Sequence, residues 1–258
     1  MSRVALFLGG LAGAFLAAFA LGGILDLEER TASADENEHG GMAAAPAGLA
    51  VEQDGYRLVQ QRASFVAGRS ERYVFRILGP NGSVVRDFDV EHERRLHLIV
   101  VGRGPDAPFL HLHPRQRADG SWTVPLKLPV NGSYRVFADF TTDGERRTLA
   151  IDVVAGGGPD PAAVAWWDSI YVVKLREQGD RLVFDVRSDT GPVKTQPYLG
   201  AGGHLVVLRE GDLAYIHAHA EEDELAFDVP FPSEGRYRLY LQFKVGGNVV
   251  TERLEVER

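Results

Sequence analysis

No cysteine occurs anywhere in the chain. That absence excludes disulfides, thiolate nucleophiles and cysteine-ligated zinc. Methionine is confined to Met1 and Met42, so no strand carries a thioether to hold a soft ion such as Cu(I). Lysine is scarce (Lys127, Lys174, Lys194 and Lys244), and the net charge is −8. No cluster of basic residues is available to neutralise phosphates, which argues against a nucleic-acid partner. Nucleophile elbows, acid pairs and phosphate loops are also missing, and the sequence reads as that of a non-enzyme. One long apolar run breaks this pattern of absences. From Val4 to Leu25 no charged residue occurs, a stretch long enough to cross a bilayer as a helix. Arg3 precedes it and Asp26, Glu28 and Glu29 follow, which predicts an N-terminus inside the cytoplasmic membrane and the bulk of the chain outside. Ala32-Ser33-Ala34 offers a competing signal-peptidase site, but the charged residues before it favour an uncleaved anchor.

The predicted organisation is an anchor over 1–25, a flexible linker over 26–50 and two domains over 51–155 and 156–258. The linker is rich in Ala, Gly and acids, and its His39 and Met42 read as parts of a solvated tether. Beyond it the pattern is β. Strand-length segments such as 72–78, 83–90, 96–101 and 133–140 are separated by Asn81-Gly82, Asp119-Gly120, Asn131-Gly132 and Asp143-Gly144 turns. The Gly/Pro-rich stretch 155–163 marks a break, after which the scheme repeats. The fold class expected is all-β: two tandem immunoglobulin-like antiparallel β-sandwiches after an N-terminal transmembrane helix. "NGSYRVFADF" (131–140) matches "EGRYRLYLQF" (234–243), which assigns Tyr134 and Tyr237 to tyrosine corners.

The repeat also aligns histidines. His97 matches His204, His111 matches His217, and His113 matches His219, so six of the eight histidines fall at equivalent positions. If Glu210-Gly211 forms a two-residue hairpin turn, His204 faces His217 directly and His219 shares their face. A five-residue loop from Gly102 to Asp106 likewise sets His97 opposite His111, with His113 beside them. Each hairpin then presents three imidazoles within reach of one ion. A histidine on a strand is ordinarily a core or surface residue. Six on matching faces are different, because clustered imidazoles repel when protonated and need partners when buried. All-imidazole sites suit Cu(II), Zn(II) or Ni(II); Cu(II) heads the affinity order and is the first choice, with zinc the second. Asp139, or Glu91 beside His92, is a candidate to complete a site.

The succession "LHLIVV", "FLHLHP", "DGSWTVPLKL" and "GSYRVFADF" resembles a group of secreted or membrane-anchored bacterial proteins with His-Leu-His-Pro motifs, described as heavy-metal-binding or YtkA-like. More loosely it is similar to the CopC-like periplasmic copper carriers, which are single β-sandwiches. The resemblance covers both sandwiches and is specific at the histidine motifs. It implies metal, above all copper, handling in the envelope, carried over to His97, His111 and His113. The second domain departs from the motif: Ala220 stands where Pro114 does, and Gln242 replaces Asp139. That departure implies a weaker or vestigial second site. The expectation is thus an envelope protein that binds or buffers Cu(II) through one three-histidine cluster per domain. Two other readings compete. Three histidines on a metal with an open position could activate water. Alternatively, the chain is an adhesion or scaffold module with structural histidines, Trp166-Trp167 being its natural contact element.

Overall fold

A computed structural model describes residues 46–104, 108–159, 169–220 and 224–258. The expected membrane span, its tether and the Trp166-Trp167 pair lie outside these residues. Among the described residues no helix is long and apolar enough to cross a membrane.

The described chain is all-β. One sheet of the first sandwich runs in the order β1 (Glu52–Gln53), β2 (Tyr56–Gln60), β4 (Ser70–Leu78), β8 (Trp122–Lys127), β7 (Arg115–Gln116). Its facing sheet is β3 (Ser64–Val66), β10 (Glu145–Gly156), β9 (Gly132–Thr142), β5 (His97–Gly102), β6 (Phe109–Leu112). Pairing is antiparallel except between β3 and β10, which run parallel. In the second sandwich, β11 (Val172–Gln178), β12 (Arg181–Ser188) and β13 (Gly191–Pro192) form one sheet, with β16 (Ala226–Asp228) also paired to β12. The other sheet is β15 (Tyr215–His219), β14 (His204–Arg209), β17 (Arg236–Val245), β18 (Asn248–Glu257). Both tyrosine corners form: the Tyr134 hydroxyl donates to Val130 O at 2.8 Å and the Tyr237 hydroxyl to Ser233 O at 2.7 Å.

One local expectation fails. The segment 83–90 is not a strand; it makes a single bridge, Leu78 to Val84. Arg86, Asp87 and Asp89 leave too little apolar surface there for a ladder to cover. The short strands β1 to β3 precede the first segment that the sequence pattern marks as a strand.

Each sandwich closes its own core. Leu98 and Val100 point into the first with Phe75, Ile77 and Leu149, while Leu205 and Val207 point into the second with Phe184, Phe227 and Leu239. The alternate residues of β5 and β14 would face water in an isolated sandwich. Instead β5 is buried along its whole length, and β14 along all but its last residue, as strands covered on both faces are. The cover is the other sandwich. Ile99, Val101, Phe137 and Ala150 of the first half pack on Val206, Leu208, Tyr215 and Tyr240 of the second, forming a third apolar cluster. Within it Phe109 stacks on Tyr240 (centroids 4.4 Å) and Phe137 on Tyr215 (4.9 Å). The repeat makes these two pairs equivalent, so the halves meet about a pseudo-twofold axis. The segment entering the first sandwich crosses this seam. Tyr215 N donates to Ala47 O at 2.9 Å, and Gly48 sits at φ +72°, where an added Cβ would come within 2.8 Å of both Phe137 and Tyr215.

Candidate metal centre

The histidines occupy one end of this seam. His97 opens β5 and His204 opens β14, each on the seam-facing side of its strand by the same alternation that places Ile99 and Val206. His111 pairs with Ile99, His217 with Val206 and His219 with His204. The register therefore differs by two from that expected: His204 faces His219, not His217, and His111 lies opposite Ile99, not His97. Turn chemistry explains this. Arg209 and Ala214 close a four-residue loop (Arg209 N to Ala214 O, 3.0 Å) in which Leu213 takes φ +65° and Arg209 pairs with Asp212. In the first half Gly102 N reaches Pro108 O at 3.0 Å, one residue beyond the expected closure. An even slip leaves side chains on the same face, so the triads survive it.

The ligand nitrogens of His97, His111 and His113 lie within 4.8 Å of one another, as do those of His204, His217 and His219. One three-histidine set thus stands in each sandwich, and the two are neighbours rather than remote from one another. The triads abut across the seam, with ring centroids 5.1 Å apart for His97 and His217 and 5.6 Å for His111 and His204. A seventh imidazole joins them. His92 sits on a tight turn, Glu91 to Arg94, with positive φ at both central residues (47° and 63°), and stacks on His219 at 3.5 Å. The corresponding turn in the second half, Tyr198 to Ala201, has Leu199 and Gly200 there. Nothing in the repeat marks His92, since its counterpart is Leu199.

The seam fixes which ring nitrogens are free. The carboxylate of Asp139 accepts from His217 Nδ1 at 2.8 Å, so the neutral His217 ring carries its lone pair on Nε2. His204 Nε2 donates to Tyr198 O at 3.1 Å, leaving the lone pair on His204 Nδ1. These two lone pairs face each other 3.4 Å apart. With both rings neutral these nitrogens are two acceptors, which either a proton or a metal ion between them would join. Nitrogens 2.0–2.1 Å from one tetrahedral ion are about 3.3 Å apart, so a metal fits the gap.

The first half is built differently. Gln242 Nε2 donates to Thr251 Oγ1 at 2.9 Å, which turns its Oε1 toward His111 Nδ1 at 2.6 Å. His111 Nε2 is then an acceptor, and His97 Nδ1 donates to it at 2.9 Å. His97 Nε2, His113 Nε2 and His219 Nε2 are buried and make no hydrogen bond to another protein group.

Asp139 does not complete the triad of its own sandwich, and Glu91 is engaged by the Thr141 hydroxyl at 2.5 Å. Asp139 is instead buried beneath His217. Arg146 donates to it twice (Nε to Oδ1 at 3.0 Å, Nη2 to Oδ2 at 2.7 Å), and the Thr148 and Tyr215 hydroxyls each donate at 3.3 Å. Burial alone would raise its pKa; the charge of Arg146 and the hydrogen bond from His217 overcome this and hold the carboxyl well below the usual range. Burial, followed by the proximity of His217, pushes His97 down to about 2 and His204 down to about 3. His113 falls to about 4 through burial and the charge of Arg94, and burial likewise lowers His111 and His219. Neutral imidazoles at pH 7 are ready ligands. A cavity of about 600 Å³, bordered by Arg146, Tyr215, His217 and His219, offers an approach to the second triad.

A family model described as a domain of unknown function, DUF8832, matches residues 50–157 and 171–258. No curated protein matches the chain. Among solved structures, the chain is similar to FdeC, an Escherichia coli adhesin, at 15% identity over 81% of this chain and 65% of that one (TM-score 0.30). It is similar to InvD of Yersinia pseudotuberculosis at 12% identity over 80% of this chain and 58% of that one (TM-score 0.29). A two-domain fibronectin type III segment of chicken tenascin matches at 10% identity over 77% and 97% (TM-score 0.24). The chain spans less than two thirds of the two bacterial structures. Likenesses at these scores transfer no activity.

Proposed function

The chain belongs to the DUF8832 family, and we propose that it is a metal-binding protein whose centre is the histidine cluster at the seam of its two sandwiches. The observation that carries this reading is the pair of three-histidine sets, each with its ligand nitrogens within 4.8 Å of one another, in which the buried Nε2 atoms of His97, His113 and His219 have no protein partner. The imidazole set, with neither thiolate nor thioether, suits Cu(II) first and Zn(II) second. The seam-facing partners on the other ring nitrogens, Asp139 and Gln242, are of the kind that orient metal-bound histidine. The expected membrane span over Val4–Leu25 would place this centre outside the cytoplasmic membrane, where the protein would bind or buffer the ion.

The adhesion or scaffold reading predicts that the histidines only pack. Titrating Cu(II) and Zn(II) into the chelator-treated protein separates the two, with calorimetry and thermal melting as readouts. Metal should raise the midpoint of the wild type. The double variant His113→Ala/His219→Ala should lose most of that rise while keeping its metal-free midpoint, because neither Nε2 has a protein partner. A wild type that neither metal stabilises returns these histidines to a structural role.

A further inference from the structure

The two triads share ligand type and number, yet their surroundings differ at one position of the repeat. Asp139 and Gln242 are equivalents, each paired in register with the first histidine of its sheet, His97 and His204. Each reaches across the seam to the other sandwich: Asp139 to His217 and Gln242 to His111. The residue that tunes each triad is therefore supplied by the opposite half.

Resting on the metal-binding reading above, we infer that Asp139 is a positioning residue which makes His204, His217 and His219 the tighter, first-filled site, and that Gln242 leaves His97, His111 and His113 the weaker one. Three observations carry this. A carboxylate accepting from a ligand's far nitrogen makes that imidazole a stronger donor to the ion than a neutral amide does, and Arg146 and Thr148 hold this carboxylate ionised and aimed. Next, Tyr198 O fixes the His204 ring, whereas His97 Nε2 has no equivalent partner. Finally, His97 and His111 are held together at 2.9 Å by a hydrogen bond that must be broken before both can ligate, while His204 and His217 stand 3.4 Å apart in a looser contact already close to the spacing of two ligands on one ion. The substitution at 242, which implied a weakened second site when the sandwiches were taken singly, weakens the first.

Zn(II), which is redox-silent, is the probe. His113→Ala leaves the second triad whole and His219→Ala leaves the first. Calorimetric titration of the full chain should show the His113→Ala protein binding about ten times more tightly or better. Asp139→Asn added to His113→Ala should weaken Zn(II) by about 10- to 100-fold, the range typical of lost partners behind metal ligands. The same change added to His219→Ala should matter far less. Gln242→Glu added to His219→Ala should tighten binding, a gain that loss of folding cannot imitate. Equal affinities in the two single variants, or an equal loss from Asp139→Asn in both backgrounds, overturn the inference while leaving metal binding intact. Failure of the wild type to bind Zn(II) or Cu(II) overturns the proposed function and this inference with it.

Discussion

Lowering the pH should destabilise the metal-free protein before Asp139 titrates. His97 and His204 are 5% and 1% exposed, and their pKa values fall to about 2 and about 3, with burial the leading cause. An unfolded histidine titrates near 6.5. Below that value the unfolded chain takes up protons that the folded chain refuses, so stability is complete above about 6.5 and declines as pH falls toward the folded values. Between pH 7.5 and pH 5 each of the two costs about 2 kcal/mol, from RT ln(1 + 10^1.5). Together they remove about 4 kcal/mol, and the lowered values of His111, His113 and His219 act in the same direction. Asp139, held below its ordinary 3.8, contributes a change only beneath that value and is silent in this window. Against a typical stability of roughly 5–15 kcal/mol this is a large fraction. The assay is urea unfolding at pH 7.5 and pH 5 in the presence of EDTA, with midpoints compared at constant m. Repeating it with saturating Zn(II) should steepen the dependence, because the ion stabilises the neutral ligands at pH 7.5 and is released at pH 5. A chelated protein equally stable at both pH values would show that the cluster is wet and freely protonated, and the burial argument would fall.

Two further outcomes are expected. Gly48→Ala drives a Cβ against both rings of the Phe137–Tyr215 stack and strains a backbone at φ +72°, so thermal melting should show a loss of about 1–3 kcal/mol, whereas Gly68→Ala, equally strained at φ +77° but with open space around it, should lose only the backbone part. The full-length protein should remain with membranes through carbonate extraction; a soluble form beginning at Asp35 would show that Val4–Leu25 is a cleaved signal.

The tandem sandwiches and both tyrosine corners were legible because period-two alternation and the internal repeat state them twice. The face of every triad histidine was legible for the same reason. The hairpin registers were not: Glu210-Gly211 reads as a two-residue turn, and Leu213 in the left-handed region carries no sequence mark. The merging of the triads was half visible. "LHLIVVG" and "HLVVLR" lack the polar alternation of a strand with one wet face, which says that something covers them without saying what. His92 was invisible, since its place depends on a turn-to-turn contact across the seam rather than on any strand pattern.

The two halves touch as the subunits of a twofold dimer do, with Phe109–Tyr240 answered by Phe137–Tyr215 and His111–Gln242 by Asp139–His217. Such a contact is self-complementary. Were the halves separate molecules, the concentration of the complete centre would follow mass action and vanish on dilution. A covalent link replaces that dependence with an effective concentration on the order of millimolar, set by the linker alone. The linkage also frees the two copies to diverge, which no symmetric dimer can do. An aspartate on one side and a glutamine on the other is a difference that two identical subunits could not carry.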